Sequence, residues 1–254
     1  MTRRYELTDQ EWEQIASLLP PEKTNKPGRP PKDNRLMVNA MVWITRSGAP
    51  WRDLPERYGP WKTVYSRFRK WIGDGILDNI FRVLCLEAEL GGTVPGCLHR
   101  PGPPAQCWCK KRGPPNGIGH SRGGASTKIH AVVDAYGYPV YLMLSEGQRN
   151  DVNFAIPMLE QIDIGGSQVV ADRGYDSTKL LDYIYGRGGE PTVPSRNGAK
   201  FERRCDWQLY KERHLVEKFF LKLKAFRRIA TRYDKLPFTY IGFLCIASIL
   251  IWLK

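Results

Sequence analysis

Along the first 85 residues, apolar positions recur at helical spacing in short blocks separated by Pro and Gly. Thr8-Asp9-Gln10-Glu11 has the form of a capping box, in which the Thr8 hydroxyl and Glu11 carboxylate meet the first free backbone amides. The helix it opens is expected to bury Trp12, Ile15, Ala16, Leu18 and Leu19 and to stop at Pro20-Pro21. A proline-held linker, 26–32, follows. Asp33 is placed to cap a second helix, Arg35 to Arg46, which Gly48 ends. A third helix, about Trp61 to Ile72, buries Val64, Phe68 and Trp71 and leaves Lys62, Arg67, Arg69 and Lys70 on an outer face. Two helices joined by a short Gly/Pro turn, the second basic, predict a helix-turn-helix-like module over 1–85. A merely solvated basic face has the same pattern.

The periodicity is lost over 86–118. From Gly91 to Pro115 there are six prolines and five glycines in 25 residues, so an irregular junction is expected. Cys97, His99, Cys107 and Cys109 fall there. They are zinc-ligand types, but Cys-x-His and Cys-x-Cys are not the usual Cys-x2-4-Cys knuckle. Over 119–254 the pattern becomes α/β. Thr127–Asp134 and Tyr138–Leu144 read as a hairpin, Val152–Ile162 as a helix, and Gln168–Asp172 as a short buried strand. A helix over Ser177–Tyr185, a brief strand at Thr192-Val193, a long helix from about Trp207 to Ile229 and an apolar terminal helix complete the pattern.

Composition narrows the classes. At 254 residues, 42% hydrophobic and 26% charged, the chain is globular material for one large domain or two small ones. The longest uncharged apolar run, Phe238–Leu253, has 16 residues, short of the ~20 a bilayer span needs, and reads as a core helix. The N-terminal residues lead into a polar helical pattern and not an apolar signal core. Scattered cysteines suit reduced cytosolic thiols. The net charge of +13 makes a polyanion the first partner to test. Its distribution says more: 13 Lys and Arg stand against 5 Asp and Glu between Ser195 and Lys235, a surplus of eight in one stretch. That is what a phosphate-backbone groove requires, and the mixture of cations and aromatics in Phe226–Lys235, with Arg227, Arg228 and Arg232, suits backbone contact and stacking.

Two carboxylates stand out. Asp172 ends the apolar strand, where α/β proteins place ligands, and Gly174 permits a sharp turn behind it. Capping the next helix is the plainer role, for which Asp176 stands nearer. On the long helix, Tyr210, Arg213, Glu217 and Lys224 project at roughly 0°, 300°, 340° and 320°, one narrow stripe. Val216, Phe219, Leu223 and Phe226 form a separate core face. The stripe fits a solvated salt-bridge ladder, and equally one metal-ligand carboxylate flanked by phosphate-gripping cations.

At these residues the sequence resembles the bacterial insertion-sequence transposases of the DDE type, in particular the insertion sequence five group. The signature Y-x2-R-x3-E-x6-K is matched by Tyr210, Arg213, Glu217 and Lys224, and the second-acid motif by Asp172 to Asp176. Leu7-Thr-Asp, Leu18-Leu-Pro, Gly28-Arg-Pro and Trp51-Arg-Asp-Leu-Pro55 resemble the group's N-terminal module. The resemblance implies an RNase-H-like catalytic domain, possession of Asp172 and Glu217 as catalytic metal ligands for two divalent ions, normally Mg²⁺, and two-metal phosphoryl transfer. It also implies Arg213 and Lys224 on the DNA backbone, Tyr210 in a supporting role, double-stranded transposon-end and target DNA as partner, a homo-oligomer on that DNA, and a place in the bacterial cytoplasm at the nucleoid.

One part of the pattern is missing. The first acid of the triad belongs on the strand before Thr127, yet residues 86–110 contain no Asp. Asp134 is a substitute by type, but its strand runs antiparallel to that of Asp172 and points it away. One chosen set of synonymous codons for Gly96–Cys109, read one nucleotide later, encodes Asp-Ala-Ser-Thr-Val-Arg, the kind of segment the family carries there. Residues 86–109 are therefore expected to be out of frame, and the first strand of the RNase-H-like domain to be lacking. Three functions follow: an insertion-sequence transposase that binds terminal inverted repeats and cuts and joins DNA by two-metal phosphoryl transfer, active or disabled by the missing acid; a non-catalytic repressor occupying transposon ends; or a general metal-dependent nuclease.

Overall fold

The computed structural model describes residues 4–22, 32–90, 118–121, 124–199 and 202–254. The 26–31 part of the proline linker lies outside them, as do Cys97, His99, Cys107, Cys109 and nearly all of the junction.

The N-terminal helices form where their caps place them. Thr8 Oγ1 accepts from the Glu11 amide while the Glu11 carboxylate accepts from the Thr8 amide, closing the capping box of α1 (Asp9–Ala16). Asp33 accepts from the Arg35 and Leu36 amides at the start of α2 (Asn34–Ser47), and Gly48 ends it in the left-handed region at φ 70°. Then come α3 (Trp61–Gly73) and α4 (Ile76–Leu90). The short turn expected between α2 and α3 is corrected. Thirteen residues, 48–60, separate them and carry two single-turn 3-10 helices, Trp51–Asp53 and Glu56–Tyr58. Pro50, Pro55 and Pro60 fix where each piece starts. The junction expected from residue 86 is also shifted, because α4 stays helical through Leu90.

The folded units do not follow chain order. Among the described residues, one compact unit takes 4–84 together with 222–254, and the other takes 85–221. This departs from the division at 85 and 119 read along the sequence. In the first unit, the apolar α10 (Pro237–Trp252) packs on α2, α3 and the short α9 (Arg227–Ala230). Its core is aromatic: Phe68 and Phe243 rings lie 4.6 Å apart, with Trp51 at 5.5 and 5.9 Å from them. The apolar run is thus a buried core helix, and no helix among the described residues is long and apolar enough to cross a membrane.

The second unit is α/β. Strands β1 (Gly119–Ser121), β2 (Gly124–Val133) and β3 (Pro139–Glu146) form an antiparallel sheet in that order, with Ile129 opposite Leu144 in the expected hairpin. Helix α5 (Val152–Leu159) follows and packs on β3. Strand β4 (Gln168–Val170) pairs parallel with β5 (Glu190–Thr192) across α6 (Thr178–Gly186). Ala155, Leu159, Ile164, Leu180 and Ile184 form the core between these helices and the pair. The strand ending in Asp172 was expected to be buried. Instead Gln168 is exposed and Val169 and Val170 are half-buried, because β4 has β5 on one edge and no partner on the other among the described residues.

The long helix expected over Trp207–Ile229 is broken into α7 (Trp207–Tyr210), a 3-10 turn Lys211–Arg213, α8 (His214–Lys224) and α9. The break between α8 and α9 has a visible cause. Phe226 leaves the helix in an extended conformation (φ −90°, ψ 103°), and its buried ring lies 4.2 Å from the Arg46 guanidinium.

Candidate active site

Asp172 follows β4 in extended conformation, and its Oδ1 accepts from the Gly174 amide at 2.8 Å, capping the 3-10 turn Arg173–Tyr175. A Cβ at position 174 would stand 2.9 Å from that oxygen, so glycine keeps the turn clear. Asp176 does not cap α6 as expected: Ser177 is the N-cap residue, without a side-chain bond. Asp176 instead accepts from the Arg203 guanidinium and, at 2.7 Å, from the Arg196 amide. Burial opposes its charge, but these two donors hold it below the usual carboxylate range.

Sequence reasoning missed a polar cluster that shares Tyr175 with Asp172. The Tyr175 hydroxyl is pushed up to about 12, by burial first and then by the Asp151 and Asp172 carboxylates, so it keeps its proton. Asp151, immediately before α5, accepts from Lys128 Nζ at 2.8 Å, and the same ammonium donates to the Arg149 carbonyl at 2.8 Å. His130, two residues along β2 on the same face, is buried. Its Nε2 lies 2.7 Å from Ser145 Oγ, its Nδ1 4.0 Å from Asp151, and its ring is stacked on Phe154 at 4.6 Å. The available signal was Lys and His alternating on one strand face, polar types where a core-facing strand puts apolar ones.

Glu217 lies in the first turn of α8 with its side chain 58% exposed, and Arg213 Nη2 donates to its Oε1 at 2.7 Å. The i,i+4 adjacency read from the sequence is present although Arg213 sits on the preceding 3-10 turn. Tyr210 is half-buried at the end of α7, its ring edge-on to Trp207 at 5.7 Å, so the continuous four-residue stripe is interrupted before Arg213. Lys224 is exposed at the end of α8, while Phe219, Leu223 and Phe226 are buried and Val216 is half-buried, as the core face required.

The expected DNA-contacting cations divide. Lys62, Arg69, Lys70 and Arg227 are exposed. Arg67 is half-buried and donates to Asn34 Oδ1 at 3.1 Å. Arg228 is corrected: it is 5% exposed, pairs with both Asp234 oxygens at 2.9 and 3.0 Å, and donates to the Ala49 carbonyl at 3.1 Å. Arg232 is half-buried and donates to the Asp234 and Lys235 carbonyls; burial lowers its affinity for a proton. Asp134, the substitute first acid, accepts from the Tyr136 and Tyr138 amides and so serves the hairpin turn.

Carboxylate oxygens are the donors a hard divalent ion takes. Yet Asp172 spends an oxygen on Gly174 and Glu217 is paired with Arg213. Among the described residues no group of three or more His, Cys, Asp or Glu side chains could hold a metal. The described residues therefore do not fit a two-ion centre.

Comparison with known proteins covers two stretches of the chain. Residues 95–252 match the family model "Transposase DDE domain", and residues 7–81 match "Putative transposase of IS4/5 family". A Brucella ovis protein named "Putative transposase for insertion sequence element IS6501" is 38% identical over 133 residues, 51% of this chain and 99% of that one. A Burkholderia cepacia "Putative transposase for insertion sequence element IS402" is 32% identical over 138 residues, 50% of this chain and 62% of that one. An uncharacterized protein, y4sN, of Sinorhizobium fredii is 44% identical over 84 residues, 33% of this chain and 66% of that one. No solved structure matches.

Proposed function

Since this chain belongs to the DDE transposases of insertion sequences, a family that implies an RNase-H-like catalytic domain and chemistry assisted by divalent ions, we propose that it binds the terminal repeats of its element without cutting them. The reading rests on one observation: residues 86–110, where the first acid of the triad belongs, contain no Asp. Asp134 does not replace it, because its carboxylate is engaged with the hairpin turn. Asp172 and Glu217 remain at the spacing of the second and third acids. Losing one preorganised charged group costs ~10²–10³ in rate, and the family's chemistry needs all three.

Binding is supported by the surplus of eight positive charges over residues 195–235 and by the exposure of Lys224, Arg227, Lys62, Arg69 and Lys70. Arg213 meets Glu217 through one guanidinium nitrogen, Nη2. Arg228 is a framework residue in this reading. Occupying ends without cutting makes the chain a repressor of its own element, acting as a homo-oligomer because each element presents two ends.

A gel-shift and a Mg²⁺-dependent cleavage assay on the same terminal-repeat duplex test this. Retarded duplex without strand cleavage is expected. Robust cleavage abolished by Glu217→Ala would overturn it, and cleavage of unrelated DNA would favour a general nuclease. The nucleotide sequence across codons 80–115 tests the origin of the lost acid; codons incompatible with the shifted reading would reject a frame change.

A further inference from the structure

In the first unit, α3 and the start of α10 border an open cleft of about 410 Å³, lined by Tyr65, Ser66, Arg69, Lys70 and Phe238. Two aromatic rings and two cations line one concavity. Arg69 and Lys70 are exposed, and among the described residues neither pairs with a carboxylate. The Arg69 guanidinium stands 6.0 Å from the Tyr65 ring centroid, so charge and ring border the same volume. Tyr65 is half-buried and held edge-on by Trp51 at 5.2 Å, which fixes its plane from the core side. Phe238 is half-buried one residue into α10.

A duplex major groove offers such a cleft no ring face, because paired bases are stacked on one another. An unpaired nucleotide offers both parts: a phosphate for the cations and a planar base for the rings. The thirteen-residue connection before α3 also removes the geometry that a short turn would give a recognition helix. Building on the DNA-binding reading above, we propose that this cleft receives an unpaired nucleotide of bound DNA, its phosphate on Arg69 and Lys70 and its base against Tyr65 and Phe238.

The test measures fluorescence anisotropy of the full chain with two probes: a short duplex carrying one unpaired thymine, and the same duplex fully paired. The readout is the ratio of affinities, which a general loss of charge or folded protein does not move. The unpaired thymine should strengthen binding about tenfold, within the range of base–aromatic stacking. Phe238→Leu keeps apolar bulk and removes the ring, and Ser66→Leu fills the cleft from its exposed rim; either should bring the ratio close to one. Equal binding of both probes by the unaltered chain overturns the proposal while leaving DNA binding intact, as does a ratio that both variants leave unchanged. Failure to bind either probe overturns the DNA-binding reading along with it.

Discussion

Arg228 donates from all three of its guanidinium nitrogens inside the helical unit, two to Asp234 and one to the Ala49 carbonyl, and lies 5.1 Å from the Phe243 ring centroid. Arg228→Met would leave the buried Asp234 carboxylate unpaired and should cost about 3–5 kcal/mol in urea unfolding. Pairing it with Asp234→Leu should recover most of that loss, since the double change leaves no buried charge. Arg227 and Arg228 are adjacent and chemically identical, so composition could show a basic cluster but not which member faces solvent. His130 poses the same difficulty on a strand. Its burial, against the opposing Asp151 carboxylate and with the help of Lys128, holds it below the ordinary histidine range. A base with a lowered folded-state value binds its proton more readily when unfolded, so its contribution to stability is present above about pH 6.5 and lost as pH falls through the lowered value. The urea midpoint should therefore drop between about pH 7 and about pH 5, and His130→Gln should flatten that slope. An unchanged slope in the variant would remove His130 as the cause.

Helix and strand boundaries were legible wherever a local device sets them. The Thr8 capping box, the Asp33 cap and the Gly48 stop are short-range chemistry, and each of those three ends lies at its device, whereas α1 stops at Ala16, short of the expected Pro20-Pro21. The 127–144 hairpin was equally plain from alternation and Gly137. Illegible were the breaks imposed by packing. Residues 207–229 carry helical periodicity throughout, and only the burial of Phe226 beside Arg46 ends α8. The site was half legible for the same reason: spacing put Arg213 four residues from Glu217, but nothing local paired Lys128 with Asp151 or set Tyr175 between the Asp151 and Asp172 carboxylates. Helix α10 carries a packing constraint of its own. A Cβ on Gly242 would stand 2.3 and 2.7 Å from Ile72 side-chain carbons and 3.0 Å from Phe68, both buried. Gly242→Ala should destabilise by about 1–3 kcal/mol through overpacking, although alanine favours helix elsewhere. Thermal unfolding checks the sign: a stabilised variant would mean that α10 shifts freely on α3.

At the scale of the molecule, chain order and folded units part company. The apolar run at the C-terminal end could be read as buried because it is apolar on every side, but that same property hides which partner covers it. The structure gives it to α2 and α3, more than 160 residues earlier in the sequence. A boundary near residue 85 would therefore cut between halves of one core. Residues 1–90 expressed alone lack the Phe243 ring that meets Trp51 and Phe68, and expose the faces of α2 and α3 that α10 covers. That fragment should show helical far-UV circular dichroism, little near-UV signal and non-cooperative urea unfolding, the behaviour of helices without fixed packing. Joining residues 222–254 to it through a flexible linker should restore the near-UV signal and a cooperative transition, because burial of α10 supplies what the helices lack. A fragment 1–90 that unfolds cooperatively by itself would show instead that the N-terminal helices hold their own core. The consequence reaches DNA binding: a truncation at 85 or 90 removes Arg227 together with the core that positions Arg69 and Lys70, so loss of affinity in such a fragment reports unfolding before it reports a missing contact.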